Sequence, residues 1–377
     1  MRHAIASFAV LLTSGAAIAQ DFELPGQMSW TAYDTGSAGY NQAVAIGAAL
    51  QDAAGINLRV LPGKNDISRT EPLRQGRVEF SATGVGGSFM AQEGAFEFGA
   101  ENWGPQPIRV LLANNGGAIN LTVGVAGDEG IETFADLAGK RVAYIVGAPA
   151  LNVNTEAYLA YGGLTWDDVE RVEFGGFGAS WTGLVEDEVD AAFAATNSGN
   201  AYEAAAGPRG LFWPPIDAED TEAVERMQAI APFLVPNTAT VGATIDGTDG
   251  YAGAGYAYPV LIATDETDAD LAYNMTKAMV ELFPQYDGKA PGIAGWALDK
   301  QDMQWVVPYH EGAIRYFEEA GVWSDEAQTH NDDLIVRQEV LTAAWEALQE
   351  ESPADWDAAW AERRREALAQ AGLDVVF

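Results

Sequence analysis

The chain has 377 residues, no cysteine, a formal charge of −35 and a pI near 4.1. The missing thiols exclude disulfides, thiolate nucleophiles and cysteine-based metal sites. The acidity excludes nucleic acid and anionic lipid as partners, so any anionic ligand needs a local positive site made from a few Arg, Lys or backbone N–H groups.

The chain opens with Arg2 and His3, an apolar run "AIASFAVLL" and the small-residue pattern Ala17-Ile18-Ala19. The run is shorter than the ~20 residues that cross a bilayer. It reads as a secretory signal cleaved near Ala19. An exported chain of about 358 residues would remain, enough for two domains.

Strand and helix signals then alternate, which predicts an α/β architecture. "MSWTAYDT" reads as a strand, and "TGSAGYNQAVAIGAAL" starts a helix. "NLRVLPG" is a second strand. "DISRTEPLRQG" is a short helix with an Asp or Ser cap, closed by Gly76. "VEFSATG", "PIRVLLANN" and "INLTVGVAG" are three more strands. A second series follows: "IETFADLAGK" as a two-turn helix ended by Gly139, "RVAYIVG" as a strand, "NVNTEAYLAYGG" as a helix, "RVEFGGF" as a strand, and "SWTGLVEDEVDAAFAATN" as helix then strand. After "GLFWPPI" the chain returns through "GYAYPVLIATD". A long helix at "ADLAYNMTKAMVELFPQ" repeats Leu271, Ala272, Met275, Ala278, Met279 and Leu282 at helical spacing. From about Leu334 the chain is helical and charged, with Trp345, Trp356 and Trp360 packing on the body. Two series joined by crossing segments predict two lobes and a cleft between them.

Enzyme machinery is missing from the pattern. His310 and His330 stand 20 positions apart with no H-E-x-x-H. Neither G-x-S-x-G nor a P-loop occurs. Neither a catalytic residue, a metal site nor a cofactor is therefore expected. Carboxylate pairs leave an exported hydrolase as the enzyme alternative.

Binding chemistry stands where strands end. Thr35-Gly36-Ser37-Ala38-Gly39-Tyr40 offers hydroxyls and helix-start N–H groups that suit a carboxylate, and equally a capped strand-to-helix turn. The segment 81–88, with Thr83 and Ser88, repeats that choice. The segment 147–155, with Asn152, Asn154 and Thr155, opens a helix, and "ATNSGN" at 195–200 ends a strand. Arg59, Lys64, Arg69, Arg74 and Arg77 form a basic cluster. Arg69, just after "PGKND", is the candidate to pair with a carboxylate, in bidentate fashion.

These loops, in order, resemble the solute-binding subunits of TRAP transporters of the TAXI type. "TGSAGYNQAVAIGAAL" matches the family's Gly-rich first loop with Ala38 altered, and "EPLRQGRVEFSATG" and "AQEGAFEF" follow its next segments. "IETFADLAGKRVAYIVGAPALNVNTEA" and "LVEDEVDAAFAAT" resemble its second half. "PYHEGAIRYFEEAGVW" is the most specific stretch, with Glu311 in place of Pro. The likeness spans roughly 28–323. It implies a type II, two-lobe periplasmic-binding-protein-like fold: lobe I from 20–118 plus 246–330, lobe II from 119–245, and a helical extension at 331–377. It implies a periplasmic, monomeric receptor that captures a small organic anion (a carboxylate or amino acid resembling glutamate or 2-oxoglutarate) and delivers it to ion-coupled TRAP-type membrane permease subunits. An ABC-type binding protein is the alternative. The residues assigned to the ligand are Thr35, Ser37, Tyr40, Arg69, Thr83 and Ser88 on one side, and Asn152, Asn154, Thr155, Thr196 and Asn197 on the other. The replacement of the family's second-lobe loop by "PALNVNT" leaves its ligand preference open.

Overall fold

A computed structural model describes residues 22–245 and 249–377. The signal segment and its cleavage point lie outside the described residues. Among the described residues no helix is long and apolar enough to cross a membrane.

Among the described residues, twelve strands build two five-stranded sheets and one ribbon. They are β1 Gln27–Ala32, β2 Asn57–Pro62, β3 Phe80–Thr83, β4 Ile108–Ala113, β5 Leu121–Ala126, β6 Arg141–Ile145, β7 Glu170–Phe174, β8 Ala191–Ala195, β9 Leu211–Phe212, β10 Val235–Ala239, β11 Tyr251–Gly255 and β12 Val260–Thr264. The first sheet runs β2-β1-β3-β12-β4 and the second β7-β6-β8-β5-β9. In the first, β1 pairs in parallel with β2 and β3, with Met28 beside Leu58 and Trp30 beside Phe80. The late strand β12 is antiparallel to β3 and β4. The second sheet repeats the pattern: β6 is parallel to β7 and β8, and β5 is antiparallel to β8 and β9. Each lobe thus carries the same strand order, with one reversed strand. This is a type II two-lobe periplasmic-binding-protein-like fold with a helical C-terminal extension.

The connections cross between the sheets side by side. Asn114 N–H donates to Pro259 O, and Tyr258 N–H returns to Asn114 O, each at 2.8 Å. The β10–β11 ribbon is antiparallel. It is tied to β5 by the hydroxyls of Tyr251 and Thr122, 3.0 Å apart.

Helices bury the stripes their periodicity predicts. Ala272, Met275, Ala278, Met279 and Leu282 are buried, and Leu271 is partly so. The first helix, Ala38–Ala54, starts on Ser37 and ends at Gly55, whose φ of 68° needs no side chain to be comfortable.

Four readings are corrected. The segment 131–140 holds only a 3₁₀ turn, Phe134–Leu137, because Thr133 and Asp136 close a capping box around a single turn and Gly139 then reverses the chain. The cap of helix Asp66–Arg74 is Asn65, whose Oδ1 accepts from Ser68 N–H while Ser68 Oγ accepts from Asn65 N–H. Helix Pro149–Tyr161 begins earlier than expected, since proline at its first position is already set for a helix. The C-terminal helix starts at Asp325 and runs to Glu351, followed by Trp356–Gln370. Helix Thr221–Ile230 and strand β10 carried no sequence expectation.

The extension is fixed by a buried charge. Glu93 is fully buried and accepts from Arg337 on one extension helix (Nε 2.6 Å, Nη2 2.7 Å) and Arg364 on the other (Nη2 2.6 Å). Trp360 Nε1 donates to Gly94 O at 2.6 Å, and Trp356 Nε1 to Gly99 O at 2.9 Å. Trp345 packs edge-on against both tryptophans. Removing the carboxylate strands two guanidinium groups in an apolar seam. Glu93→Ala is expected to cost on the order of 3–5 kcal/mol in denaturant unfolding; a loss under about 1 kcal/mol would show that the seam does not depend on that charge.

Candidate functional site

The carboxyl ends of the parallel strands in both sheets face one another, the usual ligand position in open α/β sheets. Between them lies a narrow cavity. Tyr33, Asp34, Ser37, Lys64, Asp66, Arg69, Tyr256 and Tyr258 line it from one side, and Ala148, Ala150, Leu151, Phe177, Phe193 and Ser198 from the other. About 30 Å³ is open to the centre of a water molecule, room for about two waters.

Arg69 is the centre of the site. It is 2% exposed. Its Nη2 donates to Asp66, its Nε donates to Thr83 Oγ1 at 3.1 Å, and its guanidinium stacks on the Tyr33 ring at 3.9 Å. Helix Asp66–Arg74 places Asp66 and Arg69 one turn apart on the same face. No acceptor among the described residues takes an Nη1 hydrogen of Arg69. Asp66 reaches across the cleft as well: its Oδ2 accepts from Ala150 N–H at 3.0 Å. Burial pushes its carboxyl pKa up, while the Arg69 charge pulls it down.

Three tyrosines wall the pair. Burial raises the pKa of Tyr33, Tyr256 and Tyr258, so each stays a neutral phenol. Tyr33 fits because Gly39 and Gly84 stand against it. A Cβ on Gly39 would lie 2.5 Å from the Tyr33 ring, and one on Gly84 would crowd its hydroxyl more closely still.

The sequence candidates separate into three groups. Ser37 and Arg69 line the cavity. Thr83 stands behind Arg69, and Asn154 Nδ2 donates to the lining Tyr256 hydroxyl at 2.9 Å. The others lie outside the lining. Thr35 is exposed and Tyr40 half-buried. Ser88 donates to Gly84 O inside a helical turn. Asn152 clasps both backbone groups of Ile145, and Thr155 bonds Leu151 O within its own helix. Thr196 bonds Val241 O and Asn197 bonds Pro291 O. Asn152, Asn154 and Thr155 were expected as donors at the very start of a helix, but the start at Pro149 places them further inside it.

Sequence reasoning missed Tyr33, Asp66, Tyr256 and Tyr258, while Ser198 lies in the 195–200 turn it had marked. The tyrosines at 256 and 258 carried a signal, since alternate residues of an extended "GYAYP" share a face. Asp66 carried none, because in so acidic a chain one more Asp is invisible.

Elsewhere Glu129, Asp187 and Asp190 bring carboxylate oxygens within 4.8 Å of one another. Lys140, Arg141 and Arg209 already pair all three. With Asp128, which also pairs Arg209, the cluster is an ion-pair network whose carboxylates are already matched by basic side chains.

Two substitutions check the geometry. Gly39→Ala is expected to displace the Tyr33 ring and to lower stability by about 1–3 kcal/mol in chemical unfolding. Ser198 Oγ is buried with no partner, so Ser198→Ala is expected to be neutral or stabilising. A loss above about 1 kcal/mol would expose a hydrogen bond that the structure lacks.

No curated protein matches the sequence. Solved structures similar to the chain include the substrate-binding protein of an amino acid ABC transporter (13% identity over 72% of this chain and 98% of that one, TM-score 0.42). A Brucella ovis periplasmic binding protein with glutathione bound gives 13% identity over 69% and 70%, TM-score 0.44. The Xanthomonas axonopodis pv. citri alkanesulfonate-binding protein with bound MOPS gives 15% identity over 87% and 95%, TM-score 0.41. At the sequence level the NMT1-like family matches residues 32–321, and the chain belongs to that family.

Proposed function

We propose that the protein is an exported solute receptor of the periplasm that captures a small carboxylate-bearing solute by closing its two lobes. The observation that carries this reading is the inter-lobe cavity, with polar capacity left over on both walls. Arg69 Nη1 is unspent on one side, and Ser198 Oγ is unspent on the other. The guanidinium suits a carboxylate, and Tyr33, Phe177 and Phe193 suit an apolar stem. The narrowness of the cavity supports a closure mechanism, since a solute of amino-acid size enters only when the lobes part.

The loop order quoted above supports a TAXI-type receptor serving an ion-coupled TRAP permease. The cleft chemistry serves an ATP-driven ABC permease equally well. Neighbouring genes separate the two, as does uptake in vesicles given either an ion gradient or ATP.

The test begins with mass spectrometry of the denatured protein to identify carried ligand. Thermal-shift screening against organic acids and amino acids follows. A ligand at 100 times its dissociation constant adds about 2.7 kcal/mol of stability. With the hit in hand, Arg69→Ala is expected to weaken calorimetric affinity at least tenfold, about 1.4 kcal/mol. Unchanged affinity would remove Arg69 from the ligand, and turnover of any ester or glycan would replace the receptor reading with a hydrolase.

A further inference from the structure

Three helices of the second lobe aim their N-termini at the cleft: Pro149–Tyr161, Phe177–Val185 and Gly199–Ala206. None has a side-chain cap of its own; Ala148, Gly176 and Ser198 precede them without one. Every other described helix of nine or more residues is capped by its own preceding side chain. A helix start leaves four N–H groups without internal acceptors, so these three ends need outside partners.

The first lobe supplies them. Asp66 Oδ2 accepts from Ala150 N–H at 3.0 Å, and Asp34 Oδ2 accepts from Gly178 N–H at 3.3 Å. Two backbone carbonyls complete the set: Lys64 O accepts from Phe177 N–H at 3.2 Å, and Gly36 O from Gly199 N–H at 2.8 Å. Carboxylates also suit the positive end of a helix dipole. All four contacts cross the cleft and exist only when it is shut.

We propose that Asp34 and Asp66 form a built-in latch: carboxylates of the first lobe that cap the helices of the second and hold the cleft closed without a ligand. Any solute carboxylate that reaches Ala150 N–H and Arg69 does so by displacing Asp66. The latch follows from the two-lobe geometry and is independent of the ligand's identity.

The chain has no cysteine, so Asp52→Cys and Glu203→Cys introduce one unique spin label on each lobe. Inter-label distances are measured on the full mature chain, after mass spectrometry of the denatured sample shows no bound small molecule. The ligand-free protein is expected to give the short distance as its major population. Asp34→Ala is expected to raise the long-distance population at least threefold. Asp34→Ala with Asp66→Asn is expected to make that population dominant. A ligand-free protein that is already open, or a double variant as closed as the parent, overturns the latch. Should Asp66→Asn lose its circular-dichroism signal, Asp34→Ala decides alone, because Asp34 is half-buried and its removal leaves the Asp66–Arg69 pair intact. A closed Asp34→Ala population equal to the parent's then overturns the proposal.

Discussion

The site depends on one buried guanidinium. Arg69 lies out of water, and an unpaired charge there would be prohibitive. The surroundings are arranged to prevent that. Asp66 supplies the counter-charge, Thr83 a hydroxyl acceptor and Tyr33 a ring face. The chain around Arg69 is pinned in turn, with Thr31 Oγ1 donating to Arg69 O at 2.8 Å. Gly63 lies so close that a Cβ there would come within 2.9 Å of the Arg69 Cβ. A few glycines in the first lobe therefore have a steric reason to be glycine. They give an arginine and a tyrosine room at the ends of parallel strands.

The same carboxylate joins the lobes. Asp66 belongs to the Arg69 cluster and also meets the start of a helix on the far side. One acidic group thus couples the polarity of the cavity to the position of the lobes. The aromatic walls make that coupling strong, because electrostatic attraction grows as water is excluded. Tyr256 bonds Asn154 across the same boundary, and Phe89 of the first lobe meets Phe233.

The helical extension follows the same rule at a distance from the cleft. Glu93 draws Arg337 and Arg364 from two different helices into one seam, and tryptophans fill the space around it. A chain with 55 acidic and 20 basic residues places several of its arginines where each neutralises a carboxylate that packing has isolated. The remaining acids stay at the surface, where water screens them.

Much of this was readable in one dimension. Alternating strand and helix signals gave the α/β class, and the return of "VLIATD" after the second series implied a shared sheet, which β12 joins between β3 and β4. Apolar spacing along 269–282 marked its buried face. Arg69 stood out as a base beside a turn in a chain poor in bases. These features are local, and local chemistry is written along the chain. The partners of Arg69 were not legible. Asp66 is too common in composition to signal itself, and Tyr33 and Tyr258 lie far from Arg69 in sequence. Asn152 and Thr155 read as ligand donors but bond to their own neighbourhood, because a helix that starts one turn early redirects their side chains. Whether a polar group faces a ligand or its own backbone depends on which distant strand end stands opposite. Only the packing of one lobe against the other decides that.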